Sequence, residues 1–537
     1  LTVLRNGGGI MGPVREARFA MQTASRPPVH GVDTERFRLR SFIESLEGTD
    51  ELQIHDAPID LVDVAAVVDG NPKAVYFRSV GPEGAELVAS VTASRARLAK
   101  AFGVPEEGLR AELSRRLTVA PQLVDVSRED APVQQVVLLG DDADLTKLPV
   151  HLQHGYDGAP FISASIDYAV DRLTGFTNVG IRRLMLRGRR ETGIDLHSPS
   201  DLKAIYEASA ARGERLPISF VVGAHPIDYV ASMMRLPGDE LGLVSSLRDA
   251  PVAVVKGVTN DVRVPADAEY VLEGYIDERG HVEPEGPYGE FLGYYGGVKN
   301  NPVFHLTAIT HRRDALFQTA SISGRLLATT DTSQLGALRS EVIIWNALTT
   351  AVREPRAVHC TPSSGGNYNV RIQMKQRVPG EAQNAIAAAF GCLANVKNVF
   401  VVDPDIDITS DAEMDWALAT RFQADRDLVI HKGMRALPLD PSLDPGKRSG
   451  AKAGFDLTVP IGRSGMDSLI PAVPTYGDKR FPSIRAALED GPKRFEELIA
   501  AVGSRDGREI VLELERLRGE LSIGRDAFGR YTLEKRG

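Results

Sequence analysis

The sequence predicts an α/β multidomain protein. It comprises a small N-terminal α/β domain, a central closed or nearly closed β-barrel, a linker helix, a C-terminal α/β domain and a helical tail. Three observations predict this. At 537 residues the chain exceeds the roughly 250–300 residues at which single cores stop growing. Its middle third is a run of short β-rich segments separated by turn residues, the pattern of a barrel. On either side of that run, helix-period and strand-period segments alternate.

Taken in order, residues 33–130 form the first α/β domain. "RLRSFIESLEG" has helical spacing and stops at Gly48, and "AVYFRSV" is a short β-rich run. "SRARLAKAFGV" and "EEGLRAELSRRL" are amphipathic helices. Residues 131–330 form the barrel domain, from the strands "VQQVVLLG", "FISASIDYAV", "TNVGIRRLML", "PISFVVG", "PVAVVKGVTND", "YVLEGYID" and "VFHLTAITH". Helices interrupt it at Asp201–Arg212 and around Glu240–Leu247. "SQLGALRSEVIIWNALTTAV" supplies the linker helix, residues 331–355. The C-terminal α/β domain, residues 356–478, has strands in "AVHCTP", "NYNVRIQM" and "NVFVVDPDI" and helices in "GEAQNAIAAAFGCL" and "DAEMDWALATRF". Residues 479–537 read as three helices and a β-hairpin, a winged-helix-like appendage.

Composition narrows the function. A net charge of -9 argues against broad affinity for nucleic acid or an anionic membrane. The tail mixes acidic and basic residues, so nucleic acid is unlikely as its partner, and packing or oligomerisation is the expected role. Cys360 and Cys392 are the only cysteines and form no CxxC, which excludes a disulfide scaffold and a thiolate zinc site. No uncharged apolar run is long enough to span a membrane. The opening stretch lacks the apolar core and cleavage site of a signal peptide and reads as an extension ahead of Met11, so a cytoplasmic enzyme is expected. P-loop, HExxH and GxSxG patterns are all absent.

Three stretches carry candidate chemistry. Arg182 and Arg183 adjoin in an apolar strand, so alternation sends one of them into the barrel, where a guanidinium needs an anionic partner. In "EPEGPYGEFLGYYG", Glu285 and Glu290 flank a Gly-Pro-Tyr-Gly turn. In "ASMMRLPGDELGLVSSL", Glu240 opens a helix. Each has an ordinary structural reading as well: an ion pair, a solvated turn, and a charge favourable to the helix dipole.

Six stretches in this order, "TNVGIRR", "MMRLPGDE", "VVKGVTND", "EGPYGEFLGYYG", "NVFVVDPDIDI" and "WALATRF", resemble the UbiD family of decarboxylases. The resemblance runs from about Asp33 to Asp467 and includes "GDDADLTKLPV". It implies a split β-barrel that binds prenylated FMN and reversible loss of CO2 from α,β-unsaturated or aromatic acids. It places the catalytic set on Arg183, Glu285 and Glu290. Losing CO2 from an sp2 carbon leaves an anion with no internal sink, and the modified flavin supplies one. Arg183, paired with Glu285, would hold the substrate carboxylate, and Glu290, its pKa raised, would donate the replacing proton.

The same resemblance puts a divalent metal, Mn2+ or Mg2+, between the flavin phosphate and Asn178, Glu240 and a middle ligand. By position before "LKAIYEASAARG" that ligand is Asp201, and the nearest histidine is His197. Both suit a hard cation, and Asp201 also reads as a helix N-cap. The resemblance further places K+ near Ser232, Met234 and Arg421, a phosphate contact on Lys397, and flavin-lining positions at Ser163, Ile181 and Arg182. It implies a flavin prenyltransferase as cofactor supplier and a homodimer or hexamer built on the C-terminal domain. After "TASISG" the family often has a proline-containing loop, where this chain has "RLLATTDTSQL". Leu326 and Leu327 suit an apolar ring, so benzoate, pyrrole, furan, indole and fused-ring acids are all compatible substrates. Competing readings are a plain-FMN enzyme on the same barrel and a regulatory protein that binds DNA through its tail.

Overall fold

The computed structural model describes residues 32–235, 237–463, 466 and 469–534. The stretch read as an extension ahead of Met11 lies outside them.

Six strands build the barrel: β1 Phe161–Val170, β2 Thr177–Leu186, β3 Glu191–Ile194, β4 Leu216–Val222, β5 Tyr270–Ile276 and β6 Val303–His311. They pair in the order β5–β4–β1–β2–β3–β6, and β6 closes the ring onto β5, every pairing antiparallel. Closure removes the exposed edges of an open sheet. Alternation then sorts the side chains. Leu184, Leu216, Ile218, Phe220, Val222, Leu272, Phe304 and Ile309 share one buried cluster inside the barrel. Ala164, Ile166, Tyr168, Val179, Val221 and Val271 share another outside it.

Three central helices cover that outer face. Asp201–Ala210 (α1) follows β3, and the central helices are Pro226–Met233 (α2), Glu240–Arg248 (α3) and Asp331–Ala351 (α4). α2 packs against both α3 and α4. α2 is missing from the sequence expectation because it is short, and seven of its eight residues stand among the buried positions without a polar stripe. A helix buried on all sides shows no amphipathic period.

The N-terminal sheet runs Leu52–His55, Ala74–Val80, Ala85–Ala89, then Phe317–Thr319, so its last strand comes from beyond the barrel. Asp331, at the start of α4, fastens this junction. Its buried carboxylate accepts from the Thr92 amide at 2.6 Å and hydroxyl at 2.7 Å, and from the Ser321 amide at 2.7 Å and hydroxyl at 2.9 Å.

The C-terminal domain is a five-stranded mixed sheet in the order Pro355–Cys360, Asn369–Met374, Asn398–Val402, Ser449–Asp456, Leu428–Arg435. Ser449–Asp456, absent from the sequence expectation, runs beside the parallel strands because its glycines hide it. A Cβ on Gly454 would stand 2.4 Å from Ile386 of the covering helix, so close packing demands glycine there. The tail has helices Ile484–Glu489, Phe495–Val502 and Gly507–Glu520 and an antiparallel hairpin, closed around its own core of Ile484, Leu488, Leu498, Ile510, Leu514 and Leu517.

Asp331→Ala strands four donors in the junction, so it should lower stability by about 3 kcal/mol, readable as a reduced melting temperature. An unchanged melting temperature would show that Asp331 does not hold the domains together.

Candidate active site

β2 sends its two arginines to opposite faces. Arg182 shares its side of the strand with Leu184 inside the barrel, and its guanidinium lies 3.2 Å from the fully buried Asp167. Burial pushes Asp167 up to about 7, with Arg182 pulling the other way. Arg183 faces outward and gathers three carboxylates: Glu285 at 3.1 Å, Glu290 at 3.0 Å and Asp195 at 3.0 Å. Its guanidinium also sits 4.6 Å from the centre of the Tyr288 ring.

Glu285 and Glu290 reach it from one bent hairpin. Glu283–Glu285 pairs with Lys299–Asn301, and Tyr288–Gly289 pairs with Tyr295–Gly296. The Glu290 amide donates to the Tyr294 carbonyl at 2.9 Å, turning the tip. The loop before β1 braces the hairpin from behind. The Gly158 amide donates to the Pro287 carbonyl at 2.8 Å, the Gly289 amide to Asp157 at 3.0 Å, and the Tyr288 hydroxyl to Gln153 at 2.8 Å. Two glycines leave room for the carboxylates. A Cβ on Gly193 would stand 2.9 Å from Glu285 Cγ, and one on Gly296 would stand 2.6 Å from Glu290 Oε1.

Three acids around one base give this site its electrostatics. Burial pushes the Glu290 carboxyl above its ordinary range; Arg183 opposes the rise and the Asp195 charge adds to it. Asp195 goes the other way: burial disfavours its charge, but Arg183, the His197 amide and Lys299 together hold it below the usual range. Arg183 stays charged because Glu290, Glu285 and Asp195 outweigh its burial. Proton affinity therefore concentrates on Glu290, which suits a general acid. Asn301 donates to Glu285 at 3.2 Å and to Asp195 at 3.4 Å, fixing both. Sequence reasoning missed Asp195, Asn301 and Tyr288; the only available signal was an Asp directly after a barrel strand.

A second polar cluster forms where α1 and α3 begin. One oxygen of Glu240 accepts from the Asn178 side chain and the Val179 amide, both at 2.7 Å. The Asn178 carbonyl oxygen is buried without a partner. Burial pushes Glu240 up, and the Asp201 charge is close enough to add to the rise. Ser200, not Asp201, caps α1, accepting from the Lys203 amide at 3.2 Å. An orphaned amide oxygen beside the Glu240 carboxylate, with the Asp201 charge near Glu240, fits a hard divalent cation. His197 is exposed and stands with Asp195 and Lys299, whereas Asp201 stands near Glu240.

Three domain models of one family match the chain in order: the 3-octaprenyl-4-hydroxybenzoate carboxy-lyase N-terminal domain over residues 43–117, the Rift-related domain over 124–326 and the C-terminal domain over 333–457. The chain belongs to the UbiD family. Anhydromevalonate phosphate decarboxylase of Methanosarcina mazei is 32% identical over 423 residues, 78% of this chain and 95% of that one. Among solved structures, the UbiD-class enzyme HmfF from Pelotomaculum thermopropionicum in complex with FMN is 35% identical with a TM-score of 0.76, covering 81% of this chain and 97% of that one. An evolved dimeric form of HmfF was solved with prFMN. The 3,4-dihydroxybenzoic acid decarboxylase AroY of Klebsiella pneumoniae is 28% identical with a TM-score of 0.75, covering 82% and 97%. This UbiD protein is a carboxy-lyase of the prFMN-dependent class.

The other expected site residues of this UbiD chain have the following partners. Arg421 is held by Asp403 at 3.3 Å and by Asp405 in the C-terminal domain. Lys397 binds Asp440 at 2.8 Å and Ser442 at 2.6 Å. Ser163 ties β1 to Ala320, accepting from its amide at 2.9 Å and donating to its carbonyl at 3.0 Å. Ile181 packs on the outer cluster. The Ser232 hydroxyl donates to the Asp228 carbonyl at 2.7 Å, and Met234 is buried just after α2. Leu326 is 60% exposed and lies against Gly70, whereas Leu327 is buried near Gly293 of the hairpin. Leu327 alone of the two reaches toward the hairpin that carries Glu290.

Gly296→Ala forces Glu290 off Arg183, so the folded variant should lose at least about 10-fold in turnover while its melting temperature changes little. Wild-type turnover in that variant would show that the close approach is unimportant.

Proposed function

We propose that this protein catalyses reversible, non-oxidative decarboxylation of an aromatic or heteroaromatic acid with prenylated FMN. The observation that carries the reading is the buried Arg183 ringed by Glu285, Glu290 and Asp195. When bound, the prenylated flavin accepts the electron pair left as the carbon–carboxylate bond breaks. The chain supplies the rest. Arg183 orients the departing carboxylate, Glu285 and Asn301 hold Arg183 in place, and Glu290 delivers the proton that forms the new C–H bond. Glu290 then regains a proton from solvent. Asn178, Glu240 and Asp201 would hold Mn2+ or Mg2+ against the flavin phosphate. Assembly through the C-terminal domain, as a dimer or a higher oligomer, belongs to the same reading.

A second substrate class is favoured by the relative in Methanosarcina mazei, whose substrate by name carries a phosphate. A phosphorylated alkenoic acid is therefore tested beside the aromatic ones.

Co-expression with a flavin prenyltransferase and anaerobic purification should yield a released cofactor with the mass of prenylated FMN, and CO2 should be released from one of these acids. Retention of plain FMN alone in active protein would sink the proposal. Glu290 has a raised pKa and acts in its protonated form, so turnover should be full below that pKa and fall as pH rises through it. Glu290→Gln should lower turnover by about 10²-fold or more without loss of flavin from the purified protein, and equal turnover would remove Glu290 from the mechanism.

A further inference from the structure

The tail lies beyond the last family domain, and one of its helices has an uncovered outer face. Between the first two tail helices, Lys493 exchanges both backbone hydrogen bonds with Tyr531 of the hairpin, at 3.1 and 2.8 Å. The tail therefore runs helix, short strand, helix, helix, hairpin, the element order of a winged helix. In helix-turn-helix modules the last helix is the one presented to a partner. Here that helix is Gly507–Glu520. Its Ile510, Leu514 and Leu517 face the tail's own core. Arg508, Val511, Leu512 and Glu515 stand at the i, i+3, i+4 and i+7 positions of another face. All four are exposed, Val511 at 56% and Leu512 at 66%.

This helix does not suit a nucleic-acid groove. It carries Glu509, Glu513, Glu515 and Glu520, and its Arg516 is neutralised by Glu513 at 2.7 Å and Glu520 at 2.8 Å. What the exposed face offers is an apolar centre with one charge of each sign at its ends. Arg508 pairs with Asp506 at 2.9 Å on a side chain that is 89% exposed. Among the described residues, Glu515 makes no hydrogen bond or ion pair. Such a face is complementary to itself. Two copies laid antiparallel, with the two-fold axis between Val511 and Leu512, set Val511 of each against Leu512 of the other. The same register sets Arg508 of each copy against Glu515 of the other, the reciprocal pattern of an isologous contact.

We propose that this face of the tail docks onto the same face of a second copy of the chain. Val511 and Leu512 supply the attraction at the centre. The two Arg508–Glu515 pairs select the antiparallel register, since a parallel one would set Arg508 against Arg508 and Glu515 against Glu515. Two single helices in contact bury less than the roughly 1,200 Å² of a standard stable interface. The contact is therefore weak and depends on chain concentration. It involves neither substrate nor cofactor, so it stands apart from the decarboxylase reading.

The full chain carrying Leu512→Cys is treated with a mild thiol oxidant, and covalent dimer is followed on a non-reducing gel. Wild type, with Cys360 and Cys392, gives the background. Leu512→Cys should cross-link at least about 10-fold faster than Glu520→Cys, because the antiparallel register holds the two copies of residue 520 about 25 Å apart along the helix axes. Adding Arg508→Glu or Glu515→Arg to Leu512→Cys should slow cross-linking about 3- to 10-fold. An equal mixture of those two charge variants should recover most of the loss, because each chain then offers the other the opposite charge. No change within a single chain can produce that recovery. Equal rates for Leu512→Cys and Glu520→Cys would mean random collision and overturn the proposal. Fast cross-linking that ignores both charge changes overturns the register, and the proposal with it. A Leu512→Cys rate no higher than the wild-type background also overturns it; binding of a fluorescent DNA duplex, lost in Leu512→Glu, would then give the face to nucleic acid.

Discussion

Arg183 lies buried beside Glu285, Glu290 and Asp195, and the arrangement of this site follows from keeping that one cation satisfied. Removing the partner of a buried ion costs about 3–5 kcal/mol, so the carboxylates must be held where they are. They come from two places in the chain: Asp195 just after β3, and the two glutamates from the bent hairpin before β6. The hairpin is consequently braced at Gly158, Gln153 and Asp157, and Gly193 and Gly296 keep the approach open. The result is a charge imbalance with a purpose. One guanidinium cannot fully neutralise three acids, and the excess proton affinity falls on Glu290, whose carboxyl burial pushes up.

The barrel makes this possible by separating two kinds of polar group along one strand. β2 carries Asn178 and Arg182 on one side and Arg183 on the other. Arg182 is answered within the barrel by Asp167 and at α1 by Ser200. Arg183 is answered outside it. Because the ring is closed, β2 has neighbours on both edges and cannot slip in register. A shift of one residue would exchange the two arginines and destroy both clusters.

Around this centre the domains are joined by buried polar contacts as well as by apolar packing. Asp331 ties the linker helix to the N-terminal domain, Arg38 of the N-terminal segment meets Glu269, and Arg312 at the end of β6 meets Glu35. Such contacts are directional, so they fix orientation where apolar surfaces alone would allow sliding. The tail is different. It closes its own core, and the last family domain ends at residue 457, before the tail begins.

The sequence by itself determined the element plan and the family. Six ordered motifs and the periodicity of most of the longer strands and helices were legible because they depend on local chemistry: alternation, turn residues and caps. The adjacent Arg182 and Arg183, and the five-residue spacing of Glu285 and Glu290, were visible for the same reason. Only the tertiary structure decided which arginine faces the carboxylates, that Asp195 and Asn301 join them, and that Lys397 and Arg421 have partners of their own. It also revealed α2 and Ser449–Asp456, whose all-round burial and tightly packed glycines erase the usual pattern. Those outcomes depend on which residues distant in the chain meet in space, and on which charges find an answer there. No local pattern encodes that.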